Sequence, residues 1–132
     1  MGVNDKFKKF LLRGNMVNTR AIGKRAEDLA ADYLINNGYR IIQRNFSNKI
    51  GEIDLVGTEG GQLVFIEVKA RKNNLFGFPQ ESVNKRKQAK LRRVAESYLQ
   101  QFGMPREGCR FDVVSMLYKN QTVSIELIKN AF

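Results

Sequence analysis

The chain is 132 residues long and 42% hydrophobic, one domain's length with enough apolar side chains for a packed core, which excludes global disorder. With no histidine and one cysteine, Cys109, it excludes histidine-based triads and general bases, structural zinc and an internal disulfide, leaving carboxylates, lysines and hydroxyls to carry any chemistry. Twenty-three lysines and arginines against thirteen aspartates and glutamates give a net charge of +10, the sign that suits a polyanionic partner such as nucleic acid.

Residues 1–18 read as a basic N-terminal arm, flexible and outside the domain, or as an arm that touches nucleic acid or an anionic membrane surface. Its apolar run Phe10-Leu11-Leu12 is far too short for a secretory signal, and no run in the chain approaches the roughly 18–20 residues that span a bilayer. Together with the lone cysteine this predicts a reducing, cytoplasmic setting and no membrane span. Residues 19–132 read as a single domain. Ile22, Ala26, Leu29, Ala30 and Tyr33 mark one face of a helix over 19–37, which Asn37-Gly38 ends. Strands follow at 39–46 and 50–57, then the Gly60-Gly61 hairpin turn and a central strand at 62–70. A loop over 71–83 leads to a second helix at 84–102, with Leu91, Val94, Ala95, Tyr98 and Phe102 on its apolar stripe. Two last strands fit 110–118 and 121–129. The order is α-β-β-β-α-β-β, an α/β class.

The charge is local. Residues 1–26 carry net +6 and residues 69–93 net +8, while the rest of the chain is net −4. Carboxylates therefore lie outside the basic blocks, as a protein needs if it binds phosphate and also holds a metal. On the central strand, alternation puts Glu67 and Lys69 on one side, two residues apart, at the end of a strongly apolar run. A carboxylate and an ammonium there are costly unless paired or used. On the preceding strand, alternation puts Ile53 and Leu55 on one face and Asp54 on the other with Glu52 and Val56. The hairpin turn lets Asp54 lie across from Glu67. Asp54 and Glu67 are hard oxygen ligands for Mg²⁺ or Mn²⁺, with the carbonyl of Val68 as a third. Lys69 would orient a water and offset charge on phosphoryl oxygens. Glu27 falls at the edge of the first helix's apolar stripe and is the one carboxylate of this helix that could reach inward, to a second metal or to the first one's water; Asp28 and Asp32 fall on the solvent side. The plainer reading makes Glu67 and Lys69 a strand-end ion pair, and Asp54 and Glu27 solvated residues. Gln80 and Glu81 suit an ordinary surface loop or a polar lid, and Phe76 and Phe78 either pack under that loop or wedge a base.

Gly51-Glu52-Ile53-Asp54-Leu55 followed by Phe65-Ile66-Glu67-Val68-Lys69 resembles the PD-(D/E)xK signature of restriction-endonuclease-like nucleases, with Ile53 where that signature has proline. The wider pattern is similar to the YraN family of small bacterial proteins. It includes Gly23-x-x-Ala26-Glu27, Gly38-Tyr39, Arg44-Asn45 and Val83-Asn84-x-x-Lys87, and covers about residues 20–128. Archaeal Holliday-junction resolvases look like more distant relatives. The resemblance implies a restriction-endonuclease-like mixed sheet flanked by helices and a metal-dependent nuclease site in which Asp54, Glu67 and Lys69 match the motif and Glu27 matches the helix glutamate. DNA is the implied ligand, branched or flapped DNA by analogy with resolvases, and the same analogy makes a homodimer conceivable. Arg71, Lys72, Lys85, Arg86, Lys87 and Lys90 form the expected track for a phosphate backbone, with binding that is sequence-independent and salt-dependent. The alternative is a nucleic-acid-binding module that keeps the fold but does not cut alone, and serves a recombination, repair or DNA-uptake partner.

Overall fold

The computed structural model describes residues 7–11, 19–72, 83–119 and 121–132, with side chains from Ala26 onward. Strand β1 spans Phe7–Leu11, helix α1 Thr19–Asn36, strand β2 Arg40–Ser47, strand β3 Glu52–Glu59 and strand β4 Gln62–Arg71. Helix α2 spans Lys85–Phe102, strand β5 Cys109–Lys119 and strand β6 Thr122–Ile128. The strands form one sheet in the order β1-β6-β5-β4-β3-β2. Every neighbouring pair is antiparallel except β4 with β5, which α2 connects in parallel. This is the expected mixed sheet with the expected α-β-β-β-α-β-β order, preceded by one further strand.

Local chemistry explains the elements. Gly60 and Gly61 both have positive φ (61° and 81°), which the two-residue turn between β3 and β4 requires and which side chains disfavour. That short turn fixes the register Glu59↔Gln62 through Leu55↔Ile66. Helix α2 starts at Asn84, whose side chain accepts from the Lys87 amide at 2.9 Å, and stops at Gly103, whose amide donates to the Leu99 carbonyl.

The sheet is buried on both faces. On one, α1 lays Ala26, Ala30, Tyr33 and Leu34 against Leu55, Val64, Ile66, Val114 and Met116. On the other, α2 lays Leu91, Val94, Ala95 and Tyr98 against Ile53, Val56, Phe65, Phe111 and Val113. Tyr98 stands edge-on to Phe46 and Phe65, with ring centroids 5.1 and 5.6 Å away.

Two details differ from the sequence reading. Phe7–Leu11, read as part of a tail, pairs with β6 and supplies the sheet's edge strand. The bare edge of β6 would leave a row of amides and carbonyls unpaired, and an extended segment satisfies them. The rest of 1–18 lies outside the described residues. Ile53 and Leu55 do not share a face: Ile53 packs on the α2 side and Leu55 on the α1 side. Alternation breaks at Asp54, opposite Asn45, whose φ of 53° sits in the left-handed region that asparagine tolerates.

Candidate active site

Asp54 stands where the ladder between β3 and β4 ends. The last registered pair is Leu55↔Ile66; in a continued ladder Asp54 would face Glu67 and Ile53 would face Val68. Instead the Val68 amide donates to Asp54 Oδ2 at 2.8 Å, so a side-chain oxygen takes the place of a strand carbonyl. Burial, then the Glu67 carboxylate beside it, push the Asp54 carboxyl up to about 7, against the pull of the Val68 amide and Lys87. Asp54 and Glu67 are thus neighbours, as the hairpin register leads one to expect.

A second set of carboxylates meets Asp54 from the other side. Glu27 is half-buried on α1, and Asp28 and Asp32 are exposed, as its place at the stripe's edge predicts. An oxygen of Glu27, one of Glu52 and one of Asp54 all lie within 4.8 Å of one another. Burial and then Asp54 raise the pKa of Glu27; a hydrogen bond with Asn45 and the charge of Arg44 lower it again. Glu52 is the site residue that motif reasoning passed over. The signal was present, because Glu52 sits two residues before Asp54, but an exposed glutamate at a strand's first position reads as solvated.

The cations complete the picture. Lys69 is half-buried at the end of β4, and burial together with the neighbouring Lys87 lowers its pKa. Lys87, assigned from sequence to a phosphate track, turns inward: its Nζ lies 3.4 Å from Glu67 Oε1. Burial works against its charge, but Lys69, Glu67 and Asp54 leave its pKa raised. Lys85, Arg86 and Lys90 are exposed on the first turns of α2, Lys72 is exposed past β4, and Arg71 is half-buried at the end of β4. A Cβ on Gly51 would come within 2.9 Å of Lys90 Cε, so glycine here makes room for that lysine's stem. Phe76, Phe78, Gln80 and Glu81 lie outside the described residues. Val68 gives its amide to Asp54, and its side chain packs against the core on the α1 side.

The donor set is hard oxygen throughout, the kind Mg²⁺ and Mn²⁺ take. Two of its carboxyls, Asp54 and Glu27, have their pKa raised by burial and by neighbouring carboxylates. A divalent cation would relieve that repulsion, so the residues fit the metal expected from sequence.

A family model described as "Uncharacterised protein family UPF0102" matches residues 26–116, a span that contains Glu27, Glu52, Asp54, Glu67, Lys69 and Lys87. The chain belongs to the UPF0102 family. Its members include proteins from Caldicellulosiruptor saccharolyticus, 43% identical over 118 residues (88% of this chain, 100% of the relative), and from Moorella thermoacetica, 45% identical over 115 residues (86% and 96%). Family membership expected from the motifs is borne out. Among solved structures, the chain is similar to a repair endonuclease from Pyrococcus abyssi, with TM-score 0.42 and 17% identity, over 83% of this chain and 42% of that one. It is also similar to Pyrococcus furiosus SfsA in complex with Ca²⁺, with TM-score 0.33 and 15% identity, over 91% of this chain and 67% of that one. At those scores neither likeness bears on the chemistry, which rests on the residues themselves. No helix among the described residues is long and apolar enough to cross a membrane.

Proposed function

We propose that the protein is a metal-dependent nuclease that hydrolyses DNA phosphodiester bonds. The observation that carries this reading is the meeting of Asp54, Glu67 and Lys69 at the ends of β3 and β4, beside the basic start of α2. Asp54, Glu67 and the Val68 carbonyl would hold Mg²⁺ or Mn²⁺. Held there, the ion would supply Lewis acidity to the phosphodiester and to a water. Glu27 and Glu52 extend the acidic wall, positioning that water or a second ion. Lys69, close to Glu67 and partly screened from solvent, orients the attacking water and offsets charge that grows on the phosphoryl oxygens. Lys72, Lys85, Arg86 and Lys90, with Arg71 and Lys87 nearer the site, hold the phosphate backbone with little regard to sequence. Branched or flapped DNA is the substrate we favour, acted on in the cytoplasm by a homodimer.

A cleavage assay tests this. Linear, single-stranded, flapped and four-way-junction DNA are offered with Mn²⁺ or Mg²⁺, with Lys69→Ala in parallel. Wild type cuts and Lys69→Ala loses cutting by at least about a hundredfold while still binding metal and DNA. Equal cutting by both means a contaminating nuclease. Binding without cutting on every substrate overturns the enzyme reading in favour of a module that binds nucleic acid for a partner.

A further inference from the structure

A lysine that serves only to hold a phosphate backbone has no reason to face the protein, yet Lys87 does. Its Nζ lies 3.4 Å from Glu67 Oε1. The Glu67 side chain is 11% exposed and the Lys87 side chain 36%, so the carboxylate is nearly enclosed while the ammonium keeps a way out to solvent. The backbone beneath Lys87 is fixed, because its amide is held by the Asn84 side chain at 2.9 Å. Movement is therefore left to the side chain, four rotatable bonds long. Lys69 and Asp54 also face Lys87. Two ammonium groups and a divalent cation cannot share Glu67 and Asp54 without strong repulsion, and Lys87, whose side chain keeps its way out to solvent, is the one to leave.

We propose that Lys87 is an exchangeable counter-ion, which neutralises Glu67 in the absence of metal, is displaced when a divalent cation takes Glu67, and is then presented to the substrate phosphate. The inference rests on the metal-dependent reading above. It makes Lys87 a positioning residue with two opposed effects. In the metal-free protein it competes with the cation; in the metal-loaded protein it adds a positive charge to the nucleic-acid face. Metal and nucleic acid then strengthen each other's binding, and the coupling is reciprocal.

The test is calorimetric titration of the full chain with Mn²⁺ alone, followed by anisotropy of a short labelled phosphorothioate duplex with and without Mn²⁺. Wild type, Asp54→Ala, Lys87→Gln, Lys87→Met and Lys87→Arg are compared, each first checked by its melting curve. Wild type binds Mn²⁺ and Asp54→Ala does not. Lys87→Gln, or Lys87→Met should the glutamine variant fail to fold, binds Mn²⁺ about fivefold tighter than wild type, the worth of a half-exposed ion pair released. Mn²⁺ tightens duplex binding by wild type and Lys87→Arg but not by the uncharged variants. A purely structural lysine would give the reverse sign, with weaker metal binding on removal. Unchanged or weaker Mn²⁺ affinity in the uncharged variants, with Asp54-dependent binding intact in wild type, overturns the counter-ion role and leaves the nuclease reading standing. Absence of Asp54-dependent binding in wild type overturns both.

Discussion

At Asp54 a single carboxylate answers to three neighbours: the Val68 amide, Glu67, and the Glu27–Glu52 pair. The consequence for stability has a definite sign. The folded pKa of about 7 lies above the ordinary 3.8, so between those values the folded chain binds more protons than the unfolded one. Stability contributed by Asp54 therefore falls as pH rises from about 4 to about 7, and the full cost is present above 7. Asparagine keeps an acceptor for the Val68 amide and carries no charge. Asp54→Asn should melt with wild type near pH 4 and above it at pH 8. The gap is on the order of 2–4 kcal/mol, several degrees or more in melting temperature. A gap that does not grow with pH would remove the electrostatic account of the site. Asn45 belongs to the same scale: in its left-handed conformation it faces the break in β3 and lies near enough to Glu27 to lower that carboxyl's pKa.

Helix α2 shows how an element places chemistry. Its apolar stripe fixes its face toward the sheet, and its Asn84 cap fixes where the first turn starts, hence where Lys87 and Lys90 emerge. Asn84→Ala should cost about 1 kcal/mol, typical of a lost cap, and lower the melting temperature by a few degrees. Much at this scale was legible in the sequence. The alternation of Leu63, Phe65 and Glu67 and the Gly60-Gly61 turn sufficed to bring Asp54 beside Glu67, because a two-residue turn fixes the register as far as Leu55↔Ile66, one step short of that pair. Glu52 was legible in part, because alternation sets it on the face of Asp54, but an exposed glutamate at a strand's start reads as solvated. Lys87 was not legible: it reaches Glu67 through the way α2 docks on the sheet, which periodicity does not give. Strand β1 escaped for a related reason: it depends on a partner more than a hundred residues away, and its own sequence looks like a basic tail.

Across the whole molecule, the polar groups divide between two faces of the sheet. The α2 face carries Glu67 beside Lys87, and the α1 face buries a network built on Asp112. That residue is fully buried (0% exposed) and accepts from the Tyr39 hydroxyl at 2.7 Å, from Arg110 Nε at 3.0 Å and from the Asn130 amide at 2.9 Å. Arg110 goes on to Glu59 and the Gln62 side chain, tying the β3–β4 hairpin to β5 and the residues after β6. Every partner but Arg110 is far away in sequence, so Asp112 read only as one carboxylate in a strand. Asp112→Ala removes the acceptor of the Tyr39 hydroxyl and of the Asn130 amide and leaves Arg110 with Glu59 in place of two carboxylates. It should destabilise the fold by about 3–5 kcal/mol, measured by denaturant unfolding, and leave the Mn²⁺ affinity of the folded protein unchanged. Loss of metal binding by a folded Asp112→Ala protein would mean that the two networks are coupled through β4 and β5.

The bond from the Val68 amide to Asp54 makes one backbone proton a meter of the site. The charge on the acceptor sets the strength of that bond, and with it the amide's resonance position and rate of exchange with solvent. Proton uptake by Asp54, or a cation arriving on it, is thereby written onto one backbone signal of β4, where it can be followed without substrate, turnover or label on the metal.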